Sequence, residues 1–435
     1  MKLYHSFQKR EEFVVKKVLK FILPVMLLVV ALVALSACSN DDNGDAPAAE
    51  LEVEVTPDPQ PEPEQEVEEP AEEYEEYEEP ADETSEASWV RVALVAHSPD
   101  SILDDGSFNE GAWQGIQNFL ASNGLPVGRG DNAEFFQPHE ASDDARIDLI
   151  MDAINWGANI LVMPGFHFES SLYVAQDMFP DTKFVLLDAS PTRVEEEEVD
   201  GEMVQVRHIR HESNLAAIHY AEHEAGFLAG YAVVMDGLRD LGFMGGIAVP
   251  AVIRFGHGFI QGAEHAAASL GLDTGEVTIN FQYLGGFAPD PGHAVTASGW
   301  FAGGTEVIFA AAGGAGFSVI SGAEGSEGLV VGVDVDQADA SDVVITSAMK
   351  ALDVSVYDML TDFLNGSFRG GAALTFDATV NGIGLPMATS RFNDFTQAQY
   401  DAIFAELASG AIVVNSSLDL EDILAALSLV TVNEM

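Results

Sequence analysis

From Trp89 onward the chain alternates short apolar runs with segments whose apolar positions recur every three to four residues. The short runs predict strands at residues 91–97, 134–138, 160–164 and 183–188, interleaved with helices at 108–121, 143–156 and 169–178. A longer helix is expected over 214–235. The alternation then restarts, with strands at 241–247, 276–283, 306–311 and 329–334 and a helix at 255–269. Two successive sets of this kind predict an α/β protein with parallel sheets in two lobes. A cleft at the carboxyl ends of the strands is then the expected ligand site.

The first 88 residues follow another pattern. Lys9, Arg10, Lys16, Lys17 and Lys20 precede an apolar run over 21–35, the layout of an export signal. About 15 apolar residues are too few for a spanning helix, which needs roughly 20. The run ends in Leu35-Ser36-Ala37-Cys38, which resembles a bacterial lipobox: residues 1–37 are then a lipoprotein signal peptide and Cys38 carries the lipid. A short buried helix ending in a free thiol is the plainer alternative. Residues 41–88 hold 21 acidic and no basic side chains, with repeated Pro and almost nothing to bury. Residues 38–88 therefore read as a disordered acidic tether, or as an interaction tail, ahead of a globular body over 89–435.

Charge narrows the partners. The 435-residue chain carries 71 acidic and 18 basic side chains, a net charge of −53. Non-specific nucleic-acid binding is built from Lys and Arg against phosphates, so nucleic acid is excluded as a partner. One cysteine permits no internal disulfide and no cysteine-based metal site. Beyond residue 40 there are only two lysines, Lys183 and Lys350. A lysine retained in so lysine-poor a chain points to binding, and Lys350 is the stronger candidate because Lys183 merely opens a strand.

Four stretches then carry a resemblance. They are Asp104-Asp105-Gly106-Ser107-Phe108-Asn109 with Ala112-Trp113-Gln114-Gly115; Glu224-Ala225-Gly226-Phe227-Leu228-Ala229-Gly230-Tyr231; Gly245-Gly246 through Pro250 to Arg254-Phe255-Gly256; and Gly332-Val333-Asp334-Val335-Asp336-Gln337 with Thr346-Ser347 and Lys350. In this order the chain resembles the basic membrane protein family of bacterial lipoproteins, the purine nucleoside receptor type, which are substrate-binding proteins of ABC importers. The resemblance implies a type I periplasmic-binding fold, with two Rossmann-like lobes joined by hinge crossovers. The first lobe is expected over about 89–210 plus a later returning segment, the second over about 240–345. It also implies a monomeric, cofactor-free, non-enzymatic receptor, lipid-anchored on the extracytoplasmic face of the cell membrane and delivering nucleosides to an ABC permease and ATPase.

Site residues follow from both sources. The resemblance places Phe108 and Phe255 on opposite faces of the base, with Asn109 beside the first. It gives Asp334 the ribose hydroxyls, assisted by Lys350. Independently, Asp334 closes an apolar strand that aims it at the cleft, and a carboxylate can accept from two adjacent hydroxyls. Gly314, in the glycine-rich stretch after the strand at 306–311, lets backbone approach a ligand. Asp188 is a candidate for the purine edge or a helix cap. Where the family commonly has Thr-Asp after the first strand, this chain has His97 and a longer loop, so Asp100 or His97 is expected to replace the base-reading carboxylate.

Two other readings compete. His219, Glu222 and His223 match the His-x-x-Glu-His pattern of inverted zinc peptidases, provided both histidines share one helix face. A lipoprotein with the same fold and cleft could also present its ligand to a membrane sensor kinase.

Overall fold

The computed structural model describes residues 86–199 and 202–435. The signal, Cys38 and nearly all of the tether lie outside the described residues. Among the described residues two large sheets form. The first has the order β13-β7-β4-β3-β1-β2 and is parallel throughout. It contains β1 (Val92–Val95), β2 (Ala133–Phe136), β3 (Ile160–Pro164), β4 (Lys183–Leu187), β7 (Leu215–Tyr220) and β13 (Ala372–Phe376). The second has the order β14-β12-β11-β10-β8-β9-β15, with only β14 antiparallel. Its strands are β8 (Asp240–Gly245), β9 (Val277–Tyr283), β10 (Val307–Phe309), β11 (Leu329–Asp334), β12 (Val344–Lys350), β14 (Ile383–Gly384) and β15 (Val430–Glu434). A separate hairpin pairs β5 (Thr192–Val199) with β6 (Glu202–Ile209).

The helices cover the sheet faces, as parallel strands require. They are α1 (Phe108–Ser122), α2 (Asp143–Trp156), α3 (Glu169–Met178), α4 (Glu222–Met235), α5 (Pro250–Leu270), α6 (Pro291–Ala302), α7 (Gly314–Glu324), α8 (Leu352–Leu364), α9 (Gln397–Ala408) and α10 (Leu420–Leu424). Their ends carry ordinary signals. Ser142 caps α2 by accepting from the Ala145 amide, and Gly157 ends it at φ 113°. α5 begins at Pro250, five residues before the expected start, because proline is tolerated in the first turn.

The expected helix over 214–235 is two elements. Leu215, Ala216, Ala217 and Ile218 are completely buried inside the first sheet as β7, and only Glu222–Met235 is helical. A run buried on both faces shows no alternation, so its sequence does not separate strand from helix.

The chain crosses between the sheets three times: β7 through α4 to β8, β12 through α8 to β13, and β13 through a single 3-10 turn (Ala378–Val380) to β14. The first two crossings leave their strands in the same way. Ala221 has φ −86° and ψ 65°, and Ala351 has φ −76° and ψ 59°, both near the inverse γ-turn. Their amides donate to the third crossing, Ala221 to the Phe376 carbonyl at 3.0 Å and Ala351 to that of Gly382 at 2.9 Å.

α4 and α5 meet along a glycine seam. A Cβ on Gly226 would sit 2.1 Å from the Phe255 carbonyl oxygen and one on Gly230 2.0 Å from that of Phe259. From the other side, Gly258 and Gly262 lie equally close to the carbonyls of His223 and Phe227. Only hydrogen fits between these backbones.

Candidate ligand-binding cleft

Parallel strands deliver their carboxyl ends to one edge, and here those ends line a cleft of about 970 Å³. β1 leads to His97, β3 to Phe166 and His167, and β4 to Asp188. β11 and β12 end in Asp334 and Lys350. Helix starts add Phe108 and Asn109 from α1, Phe255 from the second turn of α5, and Gly314 from α7. All eight ligand candidates from the sequence, Asp100 among them, border this one cavity.

Lys350 is its organising charge. It is 4 % exposed. Its Nζ donates to Asp188 and lies 3.5 Å from Asp334 and 3.7 Å from Glu222. Burial pushes the ammonium toward losing its proton, but the three carboxylates outweigh that and hold its pKa above the usual lysine range. The same Nζ lies 5.0 Å from the ring centre of Phe108, 5.1 Å from Phe255 and 5.6 Å from Tyr220. Aromatic faces thus surround the cation where acids do not.

Each carboxylate has a distinct setting. Asp188 and Asp334 both have positive φ, 59° and 67°, so each strand turns sharply as it meets the cleft. Asp334 accepts from the Ser107 hydroxyl at 2.8 Å, and burial raises its pKa despite Lys350. Asp188 gives one oxygen to Lys350. Its buried Oδ1 has no hydrogen-bond partner among the described residues. Glu222, 1 % exposed, opens α4 and also faces Arg254 at 3.4 Å. Burial pushes its pKa up to about 7 against the pull of Lys350.

The segment before α1 is tied down from both sides. Asp105 accepts from the amides of Ser107, Asn109 and Glu110, capping the helix, while burial pushes its carboxyl up to about 6. Gln337 donates to the Gly106 carbonyl at 2.8 Å. Gly106 has φ 64° and lies under Phe317, whose Cζ would be 2.4 Å from an added Cβ. Asn109 spends its side-chain amide on the Ile102 carbonyl at 2.9 Å, so its nitrogen holds the loop. Asp100 is exposed at the rim.

The His-x-x-Glu-His arrangement does not form. His219 lies on β7 and contacts Ser190 at 2.9 Å, His223 lies on α4, and Glu222 is engaged by Lys350 and Arg254. The motif spans a strand-to-helix junction, so its histidines do not share a helix face. Among the described residues the one cluster with metal-ligating donors close together is Glu195, Glu197 and His208 on the hairpin.

Nothing in the sequence marks Ser107, Tyr220, Arg146, Phe166 or His167 for the cleft. Glu222 stands in the sequence only at the centre of the zinc pattern, yet its place at a lobe crossing is what brings it to Lys350.

The border holds six carboxylates, Asp100, Asp104, Asp105, Glu110, Asp188 and Asp334, against two cations, Arg146 and Lys350. Such a lining disfavours a phosphate-bearing ligand and suits a neutral one with hydroxyl donors.

The fold is shared with known proteins. The chain resembles solved solute-binding proteins of ABC transporter systems. One from Aeropyrum pernix K1 has TM-score 0.60 at 19% identity, covering 77% of this chain and 96% of that one. One from Conexibacter woesei has TM-score 0.58 at 21% identity, covering 75% and 99%. These likenesses show the type I periplasmic-binding fold. In sequence, an ABC transporter nucleoside-binding protein, BmpA of Lactococcus lactis, is 26% identical over 313 residues, covering 67% of this chain and 81% of that protein. A lipoprotein of Pyrococcus abyssi is 27% identical over 313 residues, covering 69% and 70%. Residues 90–417 match the family described as ABC transporter substrate-binding protein PnrA-like, or Bmp, and the chain belongs to that family of solute-binding proteins.

Proposed function

We propose that this protein captures nucleosides outside the cytoplasm and hands them to an ABC permease, held to the membrane by a lipid on Cys38. The observation that carries the reading is the joint placement of Phe108, Phe255 and Lys350: two rings and one ammonium, 5.0 and 5.1 Å apart, beside two carboxylates. A nucleoside offers a flat base to the rings and vicinal hydroxyls to the acids. The unpartnered Oδ1 of Asp188 supports this, because a buried acceptor without a donor is costly and a ligand hydroxyl would satisfy it. The name of the Lactococcus relative points the same way.

The magnitudes suffice. Base stacking on an aromatic side chain is worth about 1–3 kcal/mol, and a hydrogen bond to a charged group about 1.5–3 kcal/mol. Two of each reach the region of a micromolar complex, about −8 kcal/mol, after ordering costs. Phe108 follows a strand of the first sheet and Phe255 one of the second, so one base between them contacts both lobes, as ligand-driven closure requires. Calorimetric titration of the purified chain with guanosine, inosine, adenosine, uridine and free bases tests the reading. Binding of nucleosides above their free bases is expected; binding of none overturns it.

A further inference from the structure

The strand order of the first sheet acts as a ruler along the cleft. Asp188 follows β4, Phe166 and His167 follow β3, and His97 follows β1; these three strands are adjacent in that order. Strands lie about 4.8 Å apart, so the Asp188 and His97 ends are separated by roughly 10 Å. A purine nucleoside with its sugar at Asp188 and Lys350 has a ring edge that reaches toward His97.

That end is built differently from the Lys350 end. His97 stacks on His167 with ring centres 4.3 Å apart and planes 17° apart, and His167 meets Phe166 at 4.0 Å. Beneath them is Arg146 on α2, 6 % exposed and bordering the cleft. Its Nε donates to the His97 carbonyl at 3.0 Å and its Nη1 to Asp143 at 2.9 Å. Its Nη2 makes no hydrogen bond among the described residues. Burial pushes His97 down to about 3 and lowers His167, so both rings are neutral at physiological pH; the His97 ring already shares a hydrogen bond with the Ser101 hydroxyl at 3.0 Å, while His167 keeps one donor and one acceptor. A neutral imidazole adapts to either kind of ring edge. A guanidinium only donates.

We infer that Arg146 selects the base: with the adaptable His97 and His167 beside it, its free donor favours nucleosides whose six-membered ring carries a carbonyl at position 6, guanosine and inosine, over adenosine. The inference rests on the nucleoside reading above and adds the substrate class. Guanine and hypoxanthine present O6 and N7 as adjacent acceptors, whereas adenine places an amino donor where O6 would be. Donor facing donor leaves two buried polar groups unpaired, a larger penalty than the loss of one bond.

A ligand series tests this without altering the protein. Guanosine and inosine should bind at least tenfold more tightly than adenosine and than purine riboside, which lacks any substituent at position 6. Arg146→Gln should shrink that ratio about tenfold, through weaker inosine and guanosine binding with adenosine unchanged or improved. Thermal melting checks that the variant is folded. If it is not, the inosine to purine riboside ratio of the wild-type chain decides alone. Equal loss for all nucleosides in Arg146→Gln overturns the inference and leaves Arg146 as a support for His97. Inorganic phosphate competing with guanosine, with the competition lost in Arg146→Gln, overturns it too, because this end would then be a phosphate site. Nucleosides bound without preference refute only this inference, whereas binding of none removes the receptor reading as well.

Discussion

Asp188 and Asp334 occupy equivalent places in two different sheets: each stands at the carboxyl end of a parallel strand with φ near +60°, and each turns its carboxylate to the same ammonium. Asn tolerates this left-handed backbone at least as well as Asp, so charge can be removed without forcing the turn to refold. Asp334→Asn should weaken ribonucleosides at least tenfold by calorimetry while changing 2′,3′-dideoxy analogues little. Equal losses for both would remove Asp334 from contact with the sugar.

Lys350 neutralises the largely buried carboxylates gathered around it. Lys350→Met should cost about 3–5 kcal/mol in urea unfolding at pH 8, the range for removing one partner of a buried ion pair. Acid should return part of the loss. The burial-raised carboxyls of Glu222 and Asp334 take up protons more readily once the ammonium is gone, so the variant should gain stability from pH 8 to pH 6. A loss independent of pH would mean that packing, not charge, is what Lys350 provides.

The two aromatic rings make a separable contribution. Phe108→Ala and Phe255→Ala should each reduce nucleoside affinity by about 1–3 kcal/mol while leaving the weak binding of free ribose unaltered. Phe255→Ala should also lower the melting temperature, since Phe255 packs edge-on against Phe309 and is 2 % exposed, whereas Phe108 is only half-buried.

pH should act on the fold through His97 with a definite sign. Its folded pKa, about 3, lies below the ordinary value of 6.5. The unfolded chain therefore binds the extra proton first, and the stability from keeping His97 neutral is present above pH 6.5 and lost as pH falls toward 3. Glu222 has the opposite slope between its ordinary 4.5 and about 7, losing stability as pH rises. His97→Asn should flatten the acid side of the stability profile. Glu222→Gln should flatten the neutral side. An unchanged profile in both variants would rule out these groups as its source.

The alternation of strands and helices was legible because parallel strands are apolar throughout and their helices are periodic. It is silent over α6 and α7 and beyond Asp334, and it fails where burial erases the period, in β7, and in the hairpin β5–β6, whose run of Glu195 to Glu198 does not look like strand. The candidate residues at strand ends were legible for a related reason: a charged residue closing an apolar run, as Asp334 does, has only the cleft to face. Arg146 and His167 were not, since they come from a helix and from the 3-10 turn Phe166–Phe168 and are brought in by the packing of α2 and by that turn after β3. Glu222 was hidden by a coincidence of spacing, because a pattern that presumes one helix straddles a strand end and a helix start.

The glycine seam and the two crossing alanines assign each crossing helix to one sheet. α4 is locked to α5 with no room for a methyl group, so it moves with the second sheet. α8 lies against α1, with Gly115 tight against the Asp353 carbonyl and Tyr220 bonded to Ser355 at 2.5 Å, so it moves with the first. Two of the three pivots are then Ala221 and Ala351, one residue after Tyr220 and one after Lys350; the third lies in the crossing from β13 to β14. Lys350 precedes its pivot and keeps company with Asp334, while Asp188 rides on the opposite lobe. An opening about these crossings would part the Lys350 ammonium from Asp188, so that the pair would act as a brake on solute release. Asp188→Asn should accordingly quicken solute dissociation in stopped flow more than it slows association.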